Sequence, residues 1–460
     1  MGIKSFIGNK EFYKNAFVLV IPVFIQQMIT NFVSLLDNIM VGQVGTEEMS
    51  GVAIGNTLIF VFNLCIFGGI SGPGIFSAQF HGQGNHKGVR DCLRYKLILV
   101  VCLTVLAELL ILFAHTPLIN FYLHDTNVDN VAETFSAAKD YLFIMAIGLP
   151  PFALSNAYSG TLRETGETAL PMRAGVIAVL VNLVFNYLLI FGNFGFPELG
   201  VKGAAIATVL SRYIELIIIV VATHSDKIKY QFIEGVYRKF RIPRVLTRDI
   251  TVKGLPLILN ETLWAAGIST LTGCYSLRGL DVVAGFNIAQ TITNLFNVGF
   301  ISFGTVIAII IGNRLGAGQL DEAKADSKRL IALTVGVATT IGVIAIITSS
   351  IFPLLYKTTE SVRGIAATII VITALFSPIN SFVHACYFTI RSGGKTYITF
   401  LFDSVFEWCI CVPVAYLLAT FTDINIFGLY FIVQMMVFIK AVIGGILVAK
   451  GIWINNLTEN

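Results

Sequence analysis

Residues 97–114 read LILVVCLTVLAELLILFA, and Glu108 is the one charged side chain in this run. A helix of this length crosses most of the roughly 30 Å hydrocarbon core of a bilayer. Similar runs recur along all 460 residues; 55% of the chain is hydrophobic, only 13% is charged, and the mean hydropathy is +0.80. This composition excludes a soluble globular protein and predicts a polytopic membrane protein.

The apolar runs predict an all-α membrane protein with twelve transmembrane helices. We expect these helices to begin near Ala16, Val52, Leu97, Tyr141, Leu170, Ala204, Gly254, Val283, Leu330, Gly364, Tyr397 and Phe427. Most of the 31 Lys and Arg residues fall in the N-terminal tail, in the loops from even-numbered to odd-numbered helices, and in the C-terminal tail. Because positive charge stays on the cytoplasmic side, both termini are predicted to lie in the cytoplasm, with the chain in the inner (plasma) membrane.

Several function classes are disfavoured by motifs that the sequence does not contain. The net charge of +4 is small and confined to loops, so a nucleic-acid partner is not expected. The seven cysteines form no CxxC pair, and the sequence contains no complete phosphate-binding loop, HExxH or GxSxG motif. We therefore expect no ATPase, no hydrolase and no bound cofactor. A membrane enzyme would need a reactive group of residues that we do not find.

The chain also contains an internal repeat. A shift of 234 residues aligns several Gly, Pro, Thr, Phe and Asn positions, namely Pro22 with Pro256, Gly45 with Gly279, Gly51 with Gly285, Thr57 with Thr291, Phe62 with Phe296, Asn63 with Asn297, Gly82 with Gly316 and Gly84 with Gly318. A shift of 228 aligns Pro150 with Pro378 and Arg163-x-x-Gly166-x-Thr168 with Arg391-x-x-Gly394-x-Thr396. The sequence thus predicts two parallel six-helix repeats, as in transporters that rock two lobes about a central cavity.

This repeat predicts three parts of the chain. Residues 1–223 form an N-terminal six-helix lobe, residues 224–253 a cytoplasmic linker, and residues 254–460 a C-terminal six-helix lobe. The linker is rich in Lys and Arg, which favours a solvated loop lying against anionic lipid head groups.

Polar side chains inside the apolar runs are candidates for function, because they are costly in a bilayer. In the first repeat, Asp37 has no Lys or Arg nearby in sequence and is a candidate for binding a proton or a small cation. Asn182 and Asn186 are four residues apart on one helical face, where their amide oxygens would complete a site around Asp37. Thr208 is a further candidate. The alternatives are a solvated or helix-capping Asp37 and amides that only bond neighbouring helices.

The second repeat carries different chemistry. Asn260 and Glu261 align with Gln26 and Gln27, while Asp403 and Glu407 are four residues apart on one face. With Trp264 nearby in sequence, these carboxylates predict an anionic, aromatic-lined surface for a cation. The alternative is purely structural hydrogen bonding to the amides or imidazole of Asn287, Gln290, Asn294 or His384.

One pair of opposite charges is expected to be structural. Arg212 and Glu215 are three residues apart, and this spacing predicts an ion pair within one helix.

Taken in order along the chain, these motifs resemble those of the MATE (multidrug and toxic compound extrusion) transporters of the multidrug/oligosaccharidyl-lipid/polysaccharide flippase superfamily. The resemblance rests on five segments: Pro22 with Asp37-x-x-x-Val41-Gly42-x-x-Gly45, Gln79-x-x-Gly82-x-Gly84, Arg163-x-x-Gly166-x-Thr168, Asn182-x-x-x-Asn186-Tyr187, and Gly312-x-x-x-Gly316-Ala317-Gly318. It implies two six-helix lobes that alternate between outward-facing and inward-facing states, and export of organic cations or amphipathic compounds by one chain in exchange for H⁺ or Na⁺.

The resemblance also implies where coupling and substrate binding take place. Family members with an N-terminal cation site match this chain at Asp37, Asn182 and Thr208, but Asn186 stands where they carry a further carboxylate. A sodium ion at Asp37 and Asn182 and proton coupling through Asp37 therefore both remain open. Other members use the C-terminal lobe, where Glu261, Asp403 and Glu407 match, with Asn260, Gln290 and Trp264 as neighbours. A lipid-linked precursor flippase is the alternative within transport.

Overall fold

The computed structural model describes residues 6–123, 131–238 and 240–459. Within these ranges the regular secondary structure is helical, and no β-strand occurs. The predicted all-α fold of twelve transmembrane helices is confirmed. Ten described helical segments are each long and apolar enough to cross a bilayer, two of them, Thr396–Phe421 and Ile426–Ala449, being made of more than one helix, and a bent pair makes an eleventh segment.

Among the described residues, seven α-helices precede the linker: α1 (Lys10–Val41), α2 (Thr46–Gly82), α3 (His86–Leu123), α4 (Val131–Ile147), α5 (Leu149–Glu164), α6 (Ala169–Phe191) and α7 (Gly200–Ser225). Helices α4 and α5 are the two halves of one segment, bent by 46° around Gly148. Pro150 and Pro151 follow at once, and proline lacks the N–H that would continue the α4 hydrogen-bond ladder. The six predicted spans of the first repeat thus appear as seven helices.

Eight helices follow the linker: α8 (Arg244–Ser276), α9 (Leu280–Gly316), α10 (Leu320–Thr348), α11 (Glu360–Ser392), α12 (Thr396–Phe400), α13 (Val412–Phe421), α14 (Ile426–Met435) and α15 (Val437–Ala449). Helix α12 continues into α13 through two π-helical segments, Leu401–Val405 and Glu407–Cys411. Pro413 cannot donate to a carbonyl four residues earlier, which favours a widened turn before it. Helix α8 is not among the ten apolar segments; it carries Asn260 and Glu261.

Most helices begin earlier than their apolar runs. Helix α1 begins at Lys10 instead of near Ala16, and α3 begins at His86 instead of near Leu97. Helical hydrogen bonding continues through the polar residues that flank the hydrocarbon core, so hydropathy marks the depth of the membrane and not the end of a helix.

The described residues form two compact units. The C-terminal unit falls within Met1–Val20, Ala78–Gly84 and Leu255–Asn460, and the N-terminal unit within Ile21–Ser77 and Asn85–Gly254. In the C-terminal unit, a core of apolar side chains joins α8, α9, α11, α13 and α14. The predicted division of the chain at residues 223 and 254 stays a prediction.

In the C-terminal unit, the ends of α2 and α9 approach each other through repeat-related glycines. A Cβ atom on Gly82 would lie 2.0 Å from the Asn313 carbonyl oxygen, and one on Gly316 would lie 1.8 Å from the Gln79 carbonyl oxygen. Gly82 and Gly316 correspond under the 234-residue shift. The contact is therefore reciprocal, and both positions require glycine.

The expectation of a solvated linker is wrong for its middle part. Phe232 and Ile233 are buried. The guanidinium of Arg94, on α3, donates to the carbonyl oxygens of Gly235 (2.7 Å) and Val236 (2.9 Å). The apolar side chains of this segment give it a buried face, and its backbone is bonded to α3 within the N-terminal unit.

Candidate functional site: two intramembrane carboxylates

In the N-terminal unit, Asp37 of α1 lies against two amides of α6. The Asn186 amide nitrogen donates to Asp37 Oδ1 at 2.5 Å. Asn182 is oriented with its nitrogen towards Asp37, because in that orientation it donates to both carboxylate oxygens, at 3.0 and 3.2 Å. Its oxygen then faces the Thr208 hydroxyl of α7 at 3.2 Å. The structure thus brings together the four residues singled out in the first repeat.

Close helix packing makes this cluster possible. Helices α6 and α7 touch at Gly203, where a Cβ atom would lie 2.4 Å from the Leu189 carbonyl oxygen. Small residues allow such an approach and let Thr208 reach the α6 amides. Asn182 and Asn186 are buried, at 5% and 1% exposed.

The electrostatics of this site differ from the expectation in one respect. Amide nitrogens, and not oxygens, face Asp37, and no Lys or Arg among the described residues forms an ion pair with it. The Asn186 Oδ1 atom is buried and has no hydrogen-bond partner. The carboxylate is therefore held by neutral donors alone, so it can gain a proton without leaving a cation unpaired.

Tyr141 of α4 also belongs to this region. Its hydroxyl donates to Asn56 Oδ1 at 2.9 Å, and its ring is close enough to interact electrostatically with Asp37 and Arg212. Sequence reasoning singled out neither Tyr141 nor Asn56. An amide such as Asn56 inside an apolar run was the available signal.

In the C-terminal unit, Asp403 is paired with a lysine. The Lys440 ammonium of α15 lies 2.5 Å from Asp403 Oδ1, and the Asn260 amide donates to Asp403 Oδ2 at 3.1 Å. Asn260 is itself positioned by the Ser404 hydroxyl, which donates to its side-chain oxygen at 2.8 Å. Both oxygens of Asp403 are therefore occupied by internal donors.

The other two carboxylates predicted for the C-terminal site have no such partner among the described residues. Among the described residues, neither Glu261 nor Glu407 forms an ion pair. Arg391 and Asp403 are the charges that act on Glu261, while the Glu407 side chain lies against Gly267 of α8. The structure therefore separates the three acids into one that is paired with a lysine and two that form no ion pair with a described residue.

Two predicted neighbours lie outside this hydrogen-bond network. Gln290 is exposed and donates to Asn294 on its own helix, at 2.9 Å. Trp264 is half-buried on α8, whereas Trp408 donates its indole N–H to the Leu263 carbonyl oxygen at 2.8 Å.

The predicted ion pair between Arg212 and Glu215 is not among the close ion pairs of the described residues, although the two charges act on each other electrostatically. Arg212 donates instead to the Gly148 carbonyl oxygen at 3.4 Å, and its guanidinium lies 4.8 Å from the centre of the Phe152 ring. The bend between α4 and α5 presents this carbonyl, which the sequence spacing within α7 did not indicate.

Sequence reasoning assigned no role to Lys440. A lone lysine in an apolar run is a signal, but its partner lies 37 residues away on another helix. As for metals, the described ranges hold no group of three His, Cys, Asp or Glu side chains able to bind one.

Comparison with known proteins agrees with this architecture. The MatE family profile matches residues 22–188 and 256–417. A probable multidrug resistance protein NorM of Bacillus cereus is 25% identical over 416 residues, which cover 89% of each chain. A protein with the same description from Thermotoga maritima is 24% identical, covering 91% of this chain and 88% of its own length.

Two solved structures share the fold. An outward-facing conformation of a multidrug resistance MATE family transporter of the MOP superfamily has a TM-score of 0.85 at 20% identity, covering 98% of this chain and 97% of that chain. A MOP superfamily transporter from Pyrococcus furiosus has a TM-score of 0.82 at 19% identity, with the same coverage. The profile matches fall one in each repeat and together span more than half of the sequence. The chain therefore belongs to the MatE family and is a membrane transporter, not an enzyme.

Proposed function

We propose that this chain is a secondary antiporter that exports cationic, amphipathic compounds across the plasma membrane in exchange for protons. The observation that carries the proposal is Asp37, an intramembrane carboxylate held by amide donors and paired with no cation among the described residues. A carboxylate is costly to place in a bilayer, so its presence there indicates a function. We further propose that one chain acts alone, with both termini in the cytoplasm.

The donors around Asp37 favour a proton over sodium as the coupling ion. Sodium is bound by oxygen atoms, as other hard cations are. Both amides that touch Asp37 direct nitrogen at it, so they would have to turn before they could bind a metal ion. A proton needs only one carboxylate oxygen.

The C-terminal unit is better suited to the organic cation. The three acids Glu261, Asp403 and Glu407 outnumber the two cations that act on them, Lys440 and Arg391, so the group keeps an acidic excess. Carboxylates and aromatic rings together attract quaternary and protonated amines. The relatives described as multidrug resistance proteins support the same class of substrate.

The flippase alternative is not favoured. A lipid-linked pyrophosphate would need a basic cavity, whereas Asp37, Glu261 and Glu407 are acids without a close ion-pair partner in the described structure. The NorM relatives point away from it as well.

Transport requires that the two ligands favour different states of the carrier. In our proposal, protonation of Asp37 weakens its hydrogen bonds to Asn182 and Asn186, since a protonated oxygen no longer accepts in the same way. This change biases the carrier towards the state that releases substrate on the outside. A proton gradient then drives export through repeated population shifts.

The test is efflux of a fluorescent organic cation from liposomes that contain the purified protein. Proton and sodium gradients are imposed separately. We expect export under the proton gradient and background leakage under sodium alone. Export driven by sodium alone would refute the proposed coupling ion, and no export under either gradient would refute the proposed antiport.

A further inference from the structure

The Lys440 ammonium has surroundings of the kind that bind organic cations. It is 2.5 Å from Asp403 Oδ1, and it lies 5.6 Å from the centre of the Phe402 ring and 5.8 Å from that of Phe406. One carboxylate with two aromatic rings is the usual protein environment for an alkylammonium group. Lys440 is an alkylammonium ion that the protein supplies itself.

We propose that Asp403, Phe402 and Phe406 form a seat for the cationic group of the exported compound, and that Lys440 occupies this seat when no substrate is bound. The arriving cation displaces Lys440, and the return of Lys440 helps to expel it. This inference rests on the proposed function and adds a specificity-determining residue to it.

The repeat indicates that the fold alone does not require this seat. Under the 228-residue shift, Phe402, Asp403 and Phe406 correspond to Ala174, Gly175 and Ala178 of α6. Two alanines and a glycine stand where the second repeat carries two rings and a carboxylate. The six-helix scaffold therefore forms without the seat, and its three side chains are an addition confined to one repeat.

The position of Lys440 itself is cationic in both repeats. Its counterpart under the same shift is Arg212, which lies over Phe152 and bonds to the Gly148 carbonyl oxygen. The N-terminal unit thus holds its cation at this position without a carboxylate within ion-pair distance. The pairing of Lys440 with Asp403 is a separate feature of the C-terminal unit.

The structure also provides a second position for the displaced ammonium. Glu407 acts electrostatically on Lys440 and has no ion-pair partner of its own in the described ranges. A buried ammonium that lost Asp403 without another carboxylate would be strongly destabilised. The flexible lysine side chain can exchange one acid for the other while the substrate pairs with Asp403. Charge is then balanced in both states.

Asp403 is held in place while this exchange occurs. The Asn260 amide donates to its other oxygen, and Asn260 is fixed by Ser404 and by the Tyr387 hydroxyl, 3.3 Å away. Asn260 is only 2% exposed. The carboxylate therefore presents the same oxygen to Lys440 and to a competing cation.

The test measures equilibrium binding of tetraphenylphosphonium, an organic cation that cannot lose a proton, to the purified full-length chain. We expect Lys440→Met to bind about tenfold more tightly than wild type, since the internal competitor is gone. The double variant Lys440→Met/Asp403→Asn should lose this gain. Lys450→Met, on an exposed lysine after α15, is the matched control and should bind as wild type does.

Efflux from liposomes supplies the second readout. Lys440→Met should export more slowly in spite of its tighter binding, because nothing helps to release the substrate. A folded Lys440→Met variant that binds no more tightly than wild type would overturn the inference, since a purely structural lysine gives that result. Should Lys440→Met fail to fold, Phe402→Leu/Phe406→Leu decides: it keeps the ion pair and should weaken binding by about five- to tenfold. Unchanged tetraphenylphosphonium binding in that variant also overturns the proposed seat.

These outcomes are separate from a failure of the proposed function. A wild-type protein that neither binds nor exports the cation refutes the antiporter itself. A wild-type protein that exports it, with seat variants that behave as wild type does, refutes only the inference about Lys440.

Discussion

Asp37 in the N-terminal unit is held by neutral amides, whereas Asp403 in the C-terminal unit is paired with Lys440 at 2.5 Å. Both carboxylates lie on membrane-spanning helices of a duplicated scaffold. Protonation of Asp37 leaves no cation behind. Protonation of Asp403 would leave the buried Lys440 dependent on Glu407 alone, so the first carboxylate is suited to proton exchange and the second to cation exchange.

The difference shows how one duplicated scaffold came to hold two kinds of site. Gln26 and Asn260 correspond under the 234-residue shift, and both are amides. Gln26 accepts from Arg163 at 2.9 Å and touches Gly175, whereas Asn260 donates to Asp403, the counterpart of Gly175. Where the first repeat has a glycine next to this amide, the second repeat therefore has a carboxylate.

The largest effect we expect comes from removing both acids that can pair with Lys440. Asp403→Asn/Glu407→Gln should lower the free energy of unfolding by about 4 kcal/mol, because a buried ammonium loses every nearby carboxylate. Asp37→Asn should cost less than about 1 kcal/mol, because it leaves no unpaired charge. Apparent unfolding temperatures in detergent measure the loss of stability in each variant. Equal losses for the two variants would contradict the contrast between the units.

A smaller loss should follow from the glycine contact, where the two repeats are alike. Gly316→Ala and Gly82→Ala should each cost about 3 kcal/mol, since the new methyl group meets a backbone carbonyl that cannot move aside. The control is Gly336→Ala on α10, where no described atom beyond the neighbouring backbone of the same helix lies within 4 Å of the new methyl group, and a helical alanine is favoured. Thermal unfolding of the three variants tests whether the two repeat-related glycines lose similar stability. An unchanged stability of Gly316→Ala would argue against the close approach of Gly316 to the Gln79 carbonyl oxygen.

The smallest effect concerns a carboxylate outside the membrane. Burial tends to raise the pKa of Glu167, but hydrogen bonds from Lys229 and from the backbone N–H groups of Leu170 and Ala169 outweigh it and lower the pKa below its usual 4.5. Its stabilising contribution is therefore complete above pH 4.5 and is lost as the pH falls through the lower, folded-state pKa. We expect Glu167 to contribute about 0.5 kcal/mol to the free energy of unfolding, a value that is reduced because the side chain is partly exposed.

Hydrogen exchange of the linker amides of Gln231–Ile233, corrected for intrinsic rates, measures this contribution. Protection in the wild type should decline below pH 4.5, and Glu167→Gln should show the reduced protection already at neutral pH. Glu234→Gln, on an exposed linker residue, is the control. Identical protection in Glu167→Gln and wild type at pH 7 would remove Glu167 as an anchor of the linker.

The fold was largely predictable from the sequence, because hydropathy and repeated Gly and Pro positions depend only on the residues themselves. The proximity of Asp37, Asn182 and Asn186 was also open to prediction, since helical spacing and the cost of burying polar groups bear on it. The orientation of the Asn182 and Asn186 amides was not predictable, because it depends on the donor atoms that the Asp37 carboxylate requires. The Lys440–Asp403 pair and the packed linker depend on contacts between distant segments, which spacing within one helix cannot indicate.

The most direct test of the account compares two transport modes of Asp37→Asn in the same liposomes. One is proton-driven export of an organic cation, and the other is exchange of that cation across the membrane without any gradient. We predict that the variant loses gradient-driven export and keeps exchange, because the C-terminal unit still binds the substrate. Full gradient-driven export by Asp37→Asn would contradict the assignment of proton coupling to the N-terminal unit.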